Sequence, residues 1–404
     1  MTHGPFLPPD VRARFPGTAE KVYFDVSLRG LIPRAAAEAA HAHVDEVLHA
    51  RASKDAHRAS VERCREMLAG LIGAEADEVA ITKNVSEGLN LFASSLPWES
   101  GDNVVLCPEL EHPNNVFLWY NLRKLKGIEV RAVAPDRGRV PAEGFAAAVD
   151  GRTRLVTIPH VSFSPGFVTD VRAIADVAHA RGALLLVDAA QSVGSLRCDV
   201  GELGIDALAV ATQKSLLAFY GMGFLFVRRA VAESLVPAHV ARYGMDLGAE
   251  AGETARTGGD HLPYAAGARR FDLGNYNYLG AQAAEASLGL ITSLGMARIE
   301  AHLRALSARL AEGLLELGLP VVGGPPGPHL GHIVAVGHSG GGHHDTADDP
   351  AMNDLHRHLT ANGVKLSIRK GVLRMSLGLY NDVADVDRFL ALVRAWIAAR
   401  GRAA

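Results

Sequence analysis

The 404-residue sequence holds only three cysteines, Cys64, Cys107 and Cys198. Few, odd in number and without metal-ligand spacing, they exclude a disulfide framework and predict reduced thiols in a cytoplasmic protein. No apolar run reaches the length that spans a bilayer, so no membrane role is expected. The opening "MTHGPFLPPDVRARFPG" lacks a continuous apolar segment and does not read as a secretory signal. Nor does one charge dominate: 41 Lys and Arg stand against 44 Asp and Glu, a formal net charge of -3. That balance supplies no general attraction to nucleic acid or to an anionic membrane. What is present is 48% hydrophobic and 21% charged residues, the composition of a packed globular enzyme with room for two domains.

Short apolar runs alternate with helical patterns between about residues 60 and 230. The runs 103–107, 153–159, 182–189, 206–212 and 221–227 read as buried strands. Between two of them, Val171, Ile174, Ala175 and Ala178 have the spacing of an amphipathic helix over 171–181. This alternation predicts an α/β fold with a doubly wound, mostly parallel sheet and helices on both faces. Near residue 280 the pattern turns to long helices, followed by strands at 332–337 and 364–369 and a helix over about 385–399. The expected organisation is an N-terminal arm (1–20), a large domain (21–285) and a smaller α+β domain (286–404), with part of the N-terminal segment packing on the latter. The stretch "GHSGGGHHDTADDP" (337–350) brings His338, His343, His344, Asp345, Asp348 and Asp349 together. Their spacing matches no zinc pattern, and a glycine-rich loop entering a helix near Pro350 is the expectation.

Chemistry concentrates at two strand ends. In an open parallel sheet, ligands collect beyond the carboxyl ends of the strands. "LLLVD" delivers Asp188 there, and "LAVAT" delivers Gln213 and Lys214. Of eight lysines, Lys214 alone lies at a strand end with an apolar stretch downstream. Taking a lysine out of water lowers its pKa and makes its amine a usable nucleophile. No G-x-G-x-x-G turn follows the first strand, which sets aside a nicotinamide dinucleotide enzyme. Pyridoxal phosphate fits better: it is held through a lysine and needs a carboxylate to keep its ring nitrogen protonated. Singly, Asp188 would read as a cap or turn residue and Lys214 as a surface lysine. Their joint placement is the signal.

"VDAAQSVG" followed by "DALAVATQKSLLAFYGMGFLFVRR" resembles the core of the class V aminotransferase superfamily. The resemblance runs from "VYFDVSLRGLIP" (22–33) to "LRMSLGLYNDVADVDRFLALV" (373–393). That group includes cysteine desulfurases, selenocysteine lyases, isopenicillin N epimerase, kynureninase and cysteine S-conjugate lyases. The resemblance implies fold type I of the pyridoxal phosphate enzymes. It implies that Lys214 binds the cofactor and shuttles protons, Asp188 pairs with the ring nitrogen and Gln191 bonds the phenolic oxygen. It further implies that His112 stacks on the ring, that Ser86 and Glu87 lie at a helix start suited to phosphate, and that Gln213 adjoins the phosphate. Asn275 matches a residue that reaches the cofactor of a neighbouring subunit, implying a homodimer. Arg374 matches the arginine that grips a substrate α-carboxylate, with an interdomain salt bridge as the rival reading. Arg29 borders the substrate or is simply exposed, and Phe163 stands where desulfurases place an asparagine.

Desulfurases also carry a persulfide-forming cysteine before the carboxylate-binding arginine, and this chain has none between 325 and 374. The expectation is therefore a pyridoxal phosphate enzyme acting at Cα of an amino acid, first as a β-eliminating C–S lyase on a cysteine-derived substrate. Transamination, epimerisation, decarboxylation and a non-catalytic cofactor-binding relative are the alternatives.

Overall fold

Seven short segments pair as one central sheet in the computed structural model, which describes residues 7–248, 254–255, 260–341 and 343–401. In chain order they are β1 (Val79–Thr82), β2 (Asn103–Leu106), β3 (Glu129–Ala132), β4 (Thr153–Pro159), β5 (Leu184–Asp188), β6 (Ala207–Ala211) and β7 (Gly223–Val227). Their spatial order is β1-β7-β6-β5-β4-β2-β3. Only β7 runs antiparallel to its neighbours; every other pairing is parallel. All five strands expected from the sequence are present. β1 and β3 were not anticipated. β3 is an edge strand whose first and last residues, Glu129 and Ala132, are exposed, so it lacks the continuous apolar run of a strand covered on both faces.

Alternate residues of each inner strand enter two separate cores, as the pleat requires. Leu185, Val187, Leu208 and Val210 pack with α5 (Val171–His179), α2 (Lys54–Ile72) and α6 (Tyr278–Leu294). Leu186, Ala207, Ala209 and Leu225 pack on the other face with α3 (Val85–Ser95) and α4 (Asn114–Lys126). Both faces are thus covered by helices, which is why these strands read as unbroken apolar runs. Local signals agree with the packing. The Asp170 carboxylate accepts from Ala173 N–H at 3.1 Å to start α5, and Gly73, at φ 70°, ends α2.

A second sheet of three antiparallel strands, in the order β9-β10-β8, forms from β8 (Ile333–Gly337), β9 (Ser367–Arg369) and β10 (Val372–Ser376). The run expected as one strand at 364–369 divides. Val364–Lys365 instead pairs in parallel with Val22–Tyr23. Near the N-terminus, Leu7, Val11 and Phe15 are buried, and the Arg12 guanidinium donates to both Asp385 oxygens at 2.6 and 2.9 Å. Asp385 belongs to the last helix, α9 (Val383–Gly401), which follows α7 (Met296–Glu316) and α8 (Pro350–Ala361). Among the described residues no helix is long and apolar enough to cross a membrane.

Candidate active site

Lys214 sits in the tight turn that reverses the chain between β6 and β7. Leu217 N–H donates to the Lys214 carbonyl at 3.0 Å, and Ala218 N–H donates to Thr212 O at 2.9 Å. The Thr212 hydroxyl completes the knot by donating to Phe219 O at 2.6 Å. Two glycines allow other segments to close on this turn. Gly30 donates its N–H to Gln213 O at 2.9 Å, and a side chain there would collide with the Lys214 carbonyl. A side chain at Gly194, whose φ is 95°, would collide with the Ser215 carbonyl. The lysine is therefore anchored by backbone before any ligand arrives.

A cavity of about 380 Å³ opens at the carboxyl ends of β4, β5 and β6. Lys214, Asp188, Gln191, Gln213, His112, Ser86, Phe163 and Arg374 all line it, from segments as far apart in sequence as 86 and 374. Lys214 is partly exposed where it borders the cavity, yet it lies deep among protein atoms. Burial pulls its pKa down to about 8, against the opposing pull of Asp188 and with help from Arg374. Burial raises the Asp188 carboxyl, while Lys214 and the Ala190 N–H, which donates to Oδ1 at 2.9 Å, act the other way. His112 is pushed down to about 4 by burial and by the cations Lys214, Arg374 and Lys370. Its imidazole is thus neutral near pH 7.

Phe163 links the two ends of the cavity. Its ring meets His112 edge-on at 5.2 Å and 85°, and the Arg374 guanidinium lies 5.2 Å from its centroid. Arg374 also donates from Nη1 to Phe163 O at 2.9 Å, while its Nε is buried with no partner among the described residues. Burial lowers this arginine to about 10, opposed by Asp25, so it stays cationic near neutrality.

Three expected residues lie elsewhere. Glu87 accepts from Lys83 N–H at 2.6 Å and lines a separate small cleft together with Asn275. Asn275 accepts a 2.7 Å hydrogen bond from the Tyr243 hydroxyl. Arg29 is exposed and is not among the residues lining the cavity. Conversely, Glu111 and Arg369 line the cavity without having been singled out, and Tyr220 and His344 line it too. Glu111 is buried, and burial beside Asp188 raises its pKa well above the ordinary range, against the pull of Asn115 and the His112 backbone. His344 belongs to the loop read as a plain glycine connection. Arg369 holds that loop against the cavity by donating to Asp345 at 2.8 Å.

These residues fit pyridoxal phosphate. Asn84 accepts from Glu87 N–H through its side chain at 2.9 Å, leaving the first amides of α3, at Val85 and Ser86, without intrahelical acceptors. Both residues face the cavity and present the donor-rich helix end that phosphate prefers. Gln191 donates to Ser27 O at 3.1 Å, and its Oε1 is a buried acceptor with no donor among the described residues, which a phenolic hydroxyl can satisfy. With the lysine amine near its neutral form, cofactor capture should depend on pH. Below about pH 8 the neutral fraction falls about tenfold per unit. The rate at which the apoprotein captures pyridoxal phosphate, followed by visible absorbance, is expected to climb up to about pH 8 and then level. A flat rate across that range would contradict the lowered pKa.

Comparison with known proteins agrees with the geometry. The family model described as aminotransferase class-V matches residues 35–389. An uncharacterised aminotransferase of Bacillus subtilis is 30% identical over 380 residues, covering 94% of this chain and 95% of its own. A probable cysteine desulfurase of Methanothermobacter thermautotrophicus is 35% identical over 300 residues, 72% of each chain. Among solved structures, the apo cysteine desulfurase of Thermococcus onnurineus superposes with a TM-score of 0.83 at 26% identity, over 97% of this chain and 98% of that one. A cystine C–S lyase in complex with its product cysteine persulfide shares the fold, with a TM-score of 0.81 at 23% identity. The chain belongs to the class V aminotransferase family and is a pyridoxal phosphate-dependent enzyme of fold type I.

Proposed function

We propose that the protein catalyses β-elimination on a cysteine-derived amino acid, taking up water and releasing a thiol, pyruvate and ammonia. The observation that carries this reading is the position of its sulfur. Cys64, Cys107 and Cys198 are all buried, none lines the cavity, and burial pushes Cys107 up to about 11 and Cys198 to about 12. A thiol held protonated and out of reach cannot accept sulfur from a bound substrate. Sulfur must then leave on the substrate's own departing group.

Bound pyridoxal phosphate supplies the sink for the electron pair released at Cα. Asp188 would keep a proton on the ring nitrogen, neutral His112 would lie against the ring, and the α3 amides with Ser86 would hold the phosphate. Gln191 would bond the phenolic oxygen. Arg374 would grip the substrate carboxylate through its guanidinium fork. Lys214 Nζ then accepts the proton from Cα, and the Cβ–S bond breaks as a thiolate departs. His344, which lines the cavity, would face that departing group. Residues 21–285 supply the cofactor site in this reading, and 286–404 supply Arg374. The substrate is a small-molecule amino acid. Asn275 lies outside its own chain's cavity, which supports a homodimer in which each copy offers it to the other.

S-substituted cysteines offered to the cofactor-loaded enzyme should yield pyruvate and thiol in equal amounts, and cystine should yield pyruvate and cysteine persulfide, read by lactate dehydrogenase coupling and a thiol reagent. Alanine in place of the sulfur substrate should yield no pyruvate. A keto acid formed without thiol would mean transamination, and a racemised substrate would mean epimerisation; either would overturn the proposal.

A further inference from the structure

Outside the cavity, one cluster on the helical layer has the composition of a metal site. His43 and Glu46 lie three residues apart on α1 (Arg34–Leu48), which places them on one helix face. His57, in the first turns of α2, faces them and is only 5% exposed. One ligand atom from each of the three lies within 4.8 Å of the others. His57 Nε2 is 3.1 Å from Glu46 Oε2, and the two imidazole rings sit 4.7 Å apart at 42°. Gln282 of α6 places its Oε1 3.0 Å from His43 Nδ1.

We propose that His43, Glu46 and His57 bind a divalent transition metal of the zinc type, clamping α1 to α2. Bonds of about 2.0–2.2 Å from zinc to imidazole nitrogen and carboxylate oxygen place tetrahedral ligand atoms some 3.4 Å apart. One donor pair, His57 Nε2 and Glu46 Oε2, already stands at 3.1 Å. Two imidazoles and one carboxylate select zinc, nickel, cobalt or copper over magnesium and calcium, which prefer all-oxygen shells. Gln282 would be an outer partner: its carbonyl would accept a hydrogen bond from His43 Nδ1–H, so that Nε2 would be the ligating nitrogen. The fourth position is open to water.

The test uses the cofactor-loaded protein equilibrated with micromolar zinc chloride, passed through a desalting column and analysed for metal. Wild type is expected to retain about one zinc per chain, and its thermal midpoint to rise with zinc. His43→Ala and Glu46→Gln should retain at least about tenfold less and show no zinc-dependent rise. Gln282→Leu, which removes no ligand, should weaken retention by about tenfold. His343→Ala with His344→Ala controls for the histidine loop and should retain zinc as wild type does. Unfolding curves without metal establish that each variant is folded. Equal retention by wild type, His43→Ala and Glu46→Gln, or loss of zinc in the loop variant alone, would overturn the proposal.

Discussion

Lys214→Ala is expected to lower turnover by at least about 10⁴-fold, the upper range for a single positioned general base. The effect is large because, in the proposed reaction, one amine would both hold the cofactor and move the Cα proton, so no neighbour could share the loss. His112, with a pKa near 4, is too weakly basic to replace it. The turn that carries Lys214 is held by backbone hydrogen bonds from Leu217, Ala218 and Gly30. Truncating the side chain should therefore leave the fold and the melting midpoint close to wild type. Steady-state kinetics with a far-UV melt separates the two effects. Turnover within tenfold of wild type would remove Lys214 from the chemistry.

Arg374→Lys should be nearly as damaging, and its pattern is diagnostic. The substitution keeps a cation beside buried Asp25, so the fold is spared the uncompensated charge that Arg374→Ala would leave. It removes the planar fork that meets a carboxylate with two bonds. A drop in kcat/KM of about 10²–10³ is expected, the size of a lost buried charge-assisted contact. A merely structural arginine would weaken all substrates alike. Comparing an S-substituted cysteine with the same molecule lacking its carboxylate distinguishes these roles. Wild type should favour the acid strongly, and Arg374→Lys should lose most of that preference. An unchanged ratio would assign Arg374 to packing against Phe163 instead.

Much of this was legible in the sequence because burial on both faces writes itself as apolar runs. Five inner strands, the amphipathic α5 and the strand-end positions of Asp188 and Lys214 follow from periodicity alone. What periodicity misses is set by distant pairing. β10 carries Arg374 but is recognisable as a strand only beside β8 and β9. The edge strand β3 shows little apolar signal because it is covered less. Glu111 stands next to His112 in "ELEHPNN", and only the folded chain reveals that both its oxygens are buried beside Asp188. His344 lies in a glycine-rich stretch, and only the folded chain shows Arg369 holding its neighbour Asp345. His43 and His57 form no local motif either; the reversal between α1 and α2 brings them face to face.

The most direct measurement of the central claim is borohydride reduction of the purified, cofactor-loaded protein followed by peptide mapping. A visible absorbance band should bleach, and the pyridoxyl group should be recovered on the peptide containing Lys214 and on no other lysine. Label on Lys83, Lys370 or any other lysine, or no band after adding pyridoxal phosphate, would contradict the assignment of Lys214 as the residue through which this enzyme works.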